Sequence, residues 1–173
     1  KQGFLPFKEI DFRYLPEVNG QRGREFSKLP VGTELIVQVE KDERGNKGAA
    51  LTSYVTLPGR YLVLMPNNSR AGGISRRIEG EERDELKTVM AQLDTPQGMS
   101  VILRTAALGR VIEELQWDLT YLLKLWTAIR SAAEEQTGSF LIYQESSLVI
   151  RSIRDHFSPD ISEILIDTEE VYT

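Results

Sequence analysis

The chain has 173 residues, of which 40% are apolar, enough for one domain or two small ones around a core. With 27% charged residues of mixed sign and a net charge of −5, it lacks the basic balance of a generic nucleic-acid binder. There is no cysteine, which excludes disulfides and thiolate metal sites and fits a reducing compartment. No apolar run approaches the ~20 residues that span a bilayer.

The opening "KQGFLPFKEIDFRYLPEV" is aromatic-rich and broken by Pro6 and Pro16, which predicts a strand end and a short helical turn. It starts at Lys1 on what reads as the middle of a fold, with no signal-like segment, so a partial segment of a longer chain is expected. Polar "NGQRGREFSK", Asn19 to Lys28, predicts a loop. In "VGTELIVQVE", Leu35, Val37 and Val39 point one way and Ile36, Gln38 and Glu40 the other, the period of a strand. "DERGNKG", Asp42 to Gly48, predicts a turn with charge at its tip, and a second alternating run completes an antiparallel hairpin. The strand "RYLVLM" follows Pro58-Gly59.

Past a Pro/Asn/Gly loop, "EGEERDELKTVMAQL" predicts a helix. Leu86, Val89, Met90 and Leu93 share a face, and the acids crowd the first turn, where the helix dipole favours them. "TPQG" ends it, and "MSVILRTA" predicts a strand. The longest helix is predicted from Val111 to Gln136, with Ile112, Leu115, Leu119, Leu122, Trp126 and Ile129 on one face. Strand "FLIY", a helical stretch from Ser146 to Phe157 and strand "SEILIDT" complete the reading. Early hairpins and late alternation give an α+β class, with two sub-domains meeting near Ser53 to Leu57 and a third element beginning near Phe140.

Arg104-Thr105 ends a strand just before the long helix. An arginine fork can take two phosphate oxygens and a threonine hydroxyl a third, and helix N-terminal N–H groups favour anions. The same pair also serves elsewhere as an ion pair plus a cap. Arg70, Arg76 and Arg77 surround Gly72-Gly73, where successive N–H groups can form an anion nest. The loop lacks both the GxxxxGK[ST] and GxGxxG patterns, and the bland reading is a turn whose Arg76 and Arg77 pair with Glu79, Glu81 or Glu82. Phe4, Phe7, Phe12 and Tyr14 with Arg44 and Lys47 suit a single-strand nucleic-acid surface, or else the aromatics form a β-core. His156 is the sole histidine and reads as a surface or capping residue. Asp94, Asp118, Asp155, Asp160 and Asp167 show no compact metal motif, and Trp117 and Trp126 read as helix core. The residues alone define no active site.

The runs "GFLPFKEI", "ERGNKGAALTSYVTLPGRYLVLMPNN", "RAGGISRRIEGEERDEL", "VILRTAALG", "EELQWDL" and "ISEILID" together resemble the ribonuclease E/G family, nearly collinearly from Gly3 to Asp167. The resemblance implies a partial OB-type RNA-binding domain over 1–53, a 5′-sensor domain over 54–149 and part of an RNase H-like subdomain, a strand-helix-strand piece, over 150–173. It implies a 5′-monophosphate pocket at Arg104 and Thr105, with backbone help at Gly59 and Val63 and support from Arg76. Phe4 and Lys47 fall at family positions that contact single-stranded RNA.

The parent is then expected to cut RNA internally in mRNA decay and in rRNA and tRNA processing. The family's magnesium-holding aspartate pair and zinc-binding cysteine pair lie in a later domain, so this segment is expected to hold no metal and no catalytic residue. The expected partners are single-stranded RNA with a 5′-monophosphate, the parent's remaining domains, and a homotetramer that scaffolds an RNA-degrading complex. The expected place is the cytoplasm, peripherally at the inner face of the bacterial inner membrane. The sequence departs from the family pattern at Ala107-Leu108, where Gly-Val is usual, and at Ser69, where proline is common; the first OB-type strands are missing. One rival is a non-catalytic RNA-binding or protein-interaction module. Another is a phosphotransfer enzyme using the Arg/Gly loop, against which the missing P-loop lysine and magnesium carboxylates weigh.

Overall fold

The computed structural model describes residues 2–15, 29–145, 148–158 and 160–165. The chain divides into two units, Lys1–Gly138 and Ser139–Thr173. The loop expected at Asn19 to Lys28 lies outside the described residues.

In the first unit, β1 (Gly3–Phe4) leads through Pro6 into 3-10 turns at Phe7–Glu9 and Phe12–Tyr14, the strand end and helical turn expected. The hairpin forms as β2 (Gln38–Lys41) and β3 (Ala49–Thr52), paired antiparallel with a register shift between Val39 and Lys41. Its turn closes by reciprocal backbone bonds between Arg44 and Lys47, at 3.1 and 3.0 Å. Gly45 takes φ 55 there, a conformation glycine adopts without strain. β1 lies parallel to β3, giving the order β1-β3-β2.

Two expectations change here. The first alternating run forms a strand only from Gln38, and Val37 and Val39 stand exposed. The half-buried member is Gln38, whose side chain accepts from Thr56 N–H at 2.8 Å and donates to the Thr56 carbonyl at 3.0 Å. The second run is not one strand. Ser53 N–H turns away to the Glu9 carbonyl at 2.9 Å, and β4 (Leu57–Pro58) opens a different sheet.

That second sheet comprises β4, β5 (Leu62–Met65), β6 (Gly73–Ile74) and β7 (Ser100–Leu103), in the order β4-β5-β7-β6. β5 is antiparallel to β4 and β7, while β6 runs parallel to β7. Between β6 and β7, α1 (Gly80–Gln92) follows the expected pattern, with Leu86 and Leu93 buried, Val89 and Met90 half-buried, and Glu81 and Glu82 in its first turn.

The long helix α2 (Ile112–Glu135) packs on β4 and β5, burying Leu115, Leu119, Leu122, Trp126 and Ile129. Together with Leu62, Leu64 and Leu103 they form the centre of the core, each side chain contributing about 1.5–3 kcal/mol by leaving water. Trp117 departs from expectation and is 72% exposed. It sits two residues from Leu115, about 200° around the helix at 3.6 residues per turn.

A buried polar seam ties the two sheets together. Asp11, 1% exposed, donates its N–H to Ser53 Oγ (2.6 Å) and holds Arg13 through its carboxylate, with Nη2 donating to Oδ2 at 2.6 Å. That hydrogen-bonded pairing, with Asp11 as the main partner, raises the Arg13 pKa above its usual value. Arg13 continues to the Asn67 carbonyl at 3.0 Å, and Asn67 Oδ1 accepts from Val55 N–H at 3.0 Å.

The second unit contains α3 (Leu148–His156), the helical stretch expected. "FLIY" is not a strand, and neither are residues 162–165 of "SEILIDT"; residues 166–168 lie outside the described set. Of the expected strand-helix-strand piece, the described residues show the helix and no strand. Such composition marks a chain suited to a half-buried pleated surface, but a strand also needs a hydrogen-bonding neighbour. Among the described residues of this unit no strand is present, and Leu141 and Leu165 stand 74% and 85% exposed.

Candidate functional site

Sheet register decides which loops meet. Leu103, the last residue of β7, pairs with Leu62, the first of β5, and with Ile74, the last of β6. Three connections therefore leave the sheet at one edge: the turn before β5 carrying Gly59, the turn after β6 carrying Arg76, and Arg104-Thr105. Val63 lies one position further in, half-buried, between Pro58 and Ile102.

Arg104 is half-buried and locked into the β4–β5 turn. Its N–H donates to the Tyr61 carbonyl at 2.8 Å, and Nη1 donates to the carbonyls of Gly59 at 2.6 Å and Arg60 at 3.3 Å. Thr105 is exposed beside it and opens a 3-10 turn, Thr105–Ala107. The long helix begins at Ile112, with the expected Val111 as its N-cap, after Gly109 with φ 68, and the 3-10 turn stands between it and this pair. The helix N-terminus thus carries its own acids, Glu113 and Glu114, and Glu114 reaches back to the Val111 N–H at 3.4 Å.

The other side of the turn is held by Asp118 of α2, which sequence reading left without a role. Its carboxylate accepts from the N–H groups of Arg60 (3.1 Å), Tyr61 (2.8 Å) and Leu62 (3.1 Å). Gly59 is the residue that permits this approach, since a Cβ there would lie 2.6 Å from Asp118 Oδ1. The signal in the sequence is an aspartate beside the apolar stripe, three residues after Leu115 and four before Leu122. The Tyr61 ring lies under two cations, with Arg60 and Arg110 at 5.4 and 5.5 Å from its centre.

The Gly72-Gly73 anion nest does not form. Gly73 is drawn into β6 opposite Ile102, and neither glycine takes the left-handed conformation a nest needs. Gly72 instead allows close packing, for a Cβ there would sit 3.1 Å from that of Ser100. Arg76 and Arg77 are exposed on the next turn, which Arg83 braces by donating to the carbonyls of Ser75 and Ile78, each at 3.2 Å. Arg70 is exposed as well.

On the first sheet, Phe4 of β1 is paired with Ala50 of β3, and Lys47 lies in the hairpin turn three residues before Ala50. Phe4, Phe7 and Phe12 are exposed, at 67%, 41% and 54%, and the core reading fails for them; Tyr14 is half-buried. Lys47 and Arg44 are exposed at the hairpin tip. Among the described residues no group of three His, Cys, Asp or Glu is placed to hold a metal, and His156 is exposed at the end of α3. No helix among them is long and apolar enough to cross a membrane.

A sequence profile described as the Ribonuclease E/G family matches residues 56–173. The chain belongs to the ribonuclease E/G family. It is 55% identical to ribonuclease E of Escherichia coli (strain K12), over 99% of this chain and 16% of that protein. The same identity holds for ribonuclease E of Haemophilus influenzae, over 99% of this chain and 19% of the relative. Ribonuclease G of Salmonella typhimurium is 42% identical over 82% of this chain and 29% of its own length. The resemblance carried by the quoted runs is thus correct, and the ribonuclease E relatives match more closely and further along the chain than ribonuclease G does. The chain spans under a fifth of the length of those ribonuclease E relatives.

Proposed function

We propose that this chain is the segment of a ribonuclease E–type endoribonuclease that grips single-stranded RNA and reads a 5′-monophosphate. The observation that carries the reading is the fixed Arg104 guanidinium, anchored on the Gly59 and Arg60 carbonyls with Thr105 exposed next to it.

A terminal monophosphate offers oxygens that an internal diester lacks, and its second ionisation, with pKa about 6, gives it extra charge at neutral pH. Arg104 supplies a planar fork for two oxygens, and the Thr105 hydroxyl takes another. Anchoring the fork beforehand removes much of the ordering that a free arginine would need on binding. Arg76, leaving the same sheet edge, adds positive charge to the rim. In this reading the Gly59 turn and the neighbouring Val63 backbone form the back of the pocket, and a triphosphate is excluded. A 5′-hydroxyl leaves the donors without a charged acceptor. Phe4 stacks on a base and Lys47 meets phosphate further along the strand.

In this reading the parent cleaves RNA internally in the cytoplasm, as a homotetramer at the inner membrane face within an RNA-degrading complex. In this reading magnesium and zinc belong to parts of the parent outside this chain, and among the described residues no group of carboxylates is placed to hold a metal. Asp118, for example, is committed to backbone N–H groups.

The test uses the full-length protein and RNAs matched in sequence but bearing 5′-monophosphate, 5′-triphosphate or 5′-hydroxyl ends. Faster cleavage of the monophosphorylated RNA is expected. Equal rates for all three ends would overturn the sensing role.

A further inference from the structure

We infer that Asp118 is a positioning residue for phosphate recognition: it never meets RNA, but it sets the turn that aims Arg104. The inference rests on the 5′-phosphate reading above and deepens it.

Residues 59–62 join β4 to β5 at the sheet edge, and a connection of this kind is ordinarily free to choose among several conformations. Here every backbone group that matters has a named partner. Gly59 N–H donates to the Leu62 carbonyl at 2.8 Å. The N–H groups of Arg60, Tyr61 and Leu62 converge on one carboxylate, that of Asp118, at 3.1, 2.8 and 3.1 Å. The carbonyls of Gly59 and Arg60 then face the opposite way and receive Arg104 Nη1.

The turn is therefore clamped between an anion behind it and a cation in front. Since α2 is packed into the core through Leu115, Leu119 and Leu122, Asp118 is carried by a helix anchored in the core. If its carboxylate is lost, three N–H groups lose their acceptor and the turn relaxes. The two carbonyls that orient the Arg104 fork then move with it. Absence of a Cβ at Gly59 is the steric half of the same device, because any side chain there would displace the carboxylate.

A carboxylate this close also makes the site selective in sign and place. It occupies the N–H groups of the turn, so they cannot themselves draw in an anion. The phosphate is left to Arg104 and Thr105, on the other side of the turn.

The experiment compares Asp118→Asn, Asp118→Ala and Arg104→Ala with the unmodified full-length protein. Affinity is measured for 5′-monophosphate and 5′-hydroxyl RNA of one sequence, and the melting temperature is measured alongside. An asparagine oxygen keeps the shape but is a weaker acceptor for three donors. Asp118→Asn should cut the monophosphate-to-hydroxyl preference by about threefold to tenfold and Asp118→Ala by more, as expected when a binding group is misaimed. Binding of the 5′-hydroxyl RNA should stay unchanged, which a merely structural defect would not allow. In the unmodified protein, the Arg60, Tyr61 and Leu62 amides should exchange slowly with deuterium although they lie at a loop.

Each outcome decides something. If the unmodified protein shows no monophosphate preference, the sensing reading falls and this inference falls with it. If that preference exists and Arg104→Ala removes it while both Asp118 variants keep it, only the role of Asp118 is overturned. Equal loss of binding to both RNAs in Asp118→Asn, or fast exchange at all three amides, also overturns it.

Discussion

The Arg104 guanidinium and the Gly59 carbonyl meet at 2.6 Å across 45 positions of sequence. The contact joins the end of one strand to the turn before another, and it converts a flexible side chain into a directed donor.

Arg104→Ala should lower the 5′-monophosphate preference of the full-length protein at least about tenfold, since a charged hydrogen bond is worth roughly 1.5–3 kcal/mol. Arg104→Lys should recover little of it, because an ammonium cannot offer the planar fork. Thr105→Val keeps the shape and loses one donor, so its effect should be smaller than that of Arg104→Ala. Competition binding between RNAs with the two ends measures all three. A preference fully retained by Arg104→Ala would assign recognition to another group.

Gly59→Ala places a carbon against the Asp118 carboxylate, within 2.6 Å of Oδ1. The turn and α2 must separate, and overpacking of this kind costs about 1–3 kcal/mol. Urea denaturation should show a lowered midpoint with an unchanged slope. A midpoint equal to that of the unmodified protein would mean that the approach is looser than the structure shows.

Phe4→Ala should weaken single-stranded RNA binding by roughly 1–3 kcal/mol, the value of a base stacked on an aromatic ring. Lys47→Ala should reduce the dependence of log affinity on log salt concentration by about one unit of slope. Titrations at several salt concentrations separate the two effects. An unchanged slope for Lys47→Ala together with unchanged affinity for Phe4→Ala would place the RNA track elsewhere.

The two tryptophans of α2 should behave oppositely. Trp126→Ala empties part of the core, and such a truncation costs about 3–5 kcal/mol. Trp117→Ala, at a side chain 72% exposed, should stay within about 0.5 kcal/mol of the unmodified protein. Thermal or chemical denaturation distinguishes them. A large loss at Trp117 would mean that its face is covered in the full-length protein.

Ser53 is fully buried, and its hydroxyl accepts from Asp11 N–H at 2.6 Å and donates to the Glu9 carbonyl at 2.9 Å. Ser53→Ala leaves that N–H without its acceptor, a loss of about 1–3 kcal/mol. Equilibrium unfolding should show it. A neutral outcome would mean that the seam reorganises around the missing oxygen.

The sequence by itself determined the class, the family and the long helices. Period and composition are local signals: Leu115 to Ile129 repeat at helical spacing, and the extended matching runs identify the family without any contact being known. It also placed the hairpin of residues 38–52, because its turn and its alternation lie in one short stretch. Only the tertiary structure decided the rest. Whether residues 49–57 are one strand or two depends on Ser53 turning to Glu9, far away in the chain. Exposure of Trp117 and Phe12 and the absence of a strand at "FLIY" depend on which neighbours are present, and propensity carries no information about them. The role of Asp118 shows the limit most clearly. Nothing adjacent to it in sequence requires a carboxylate; three N–H groups from a turn more than fifty residues earlier do, and only packing α2 on β4 and β5 brings them within reach.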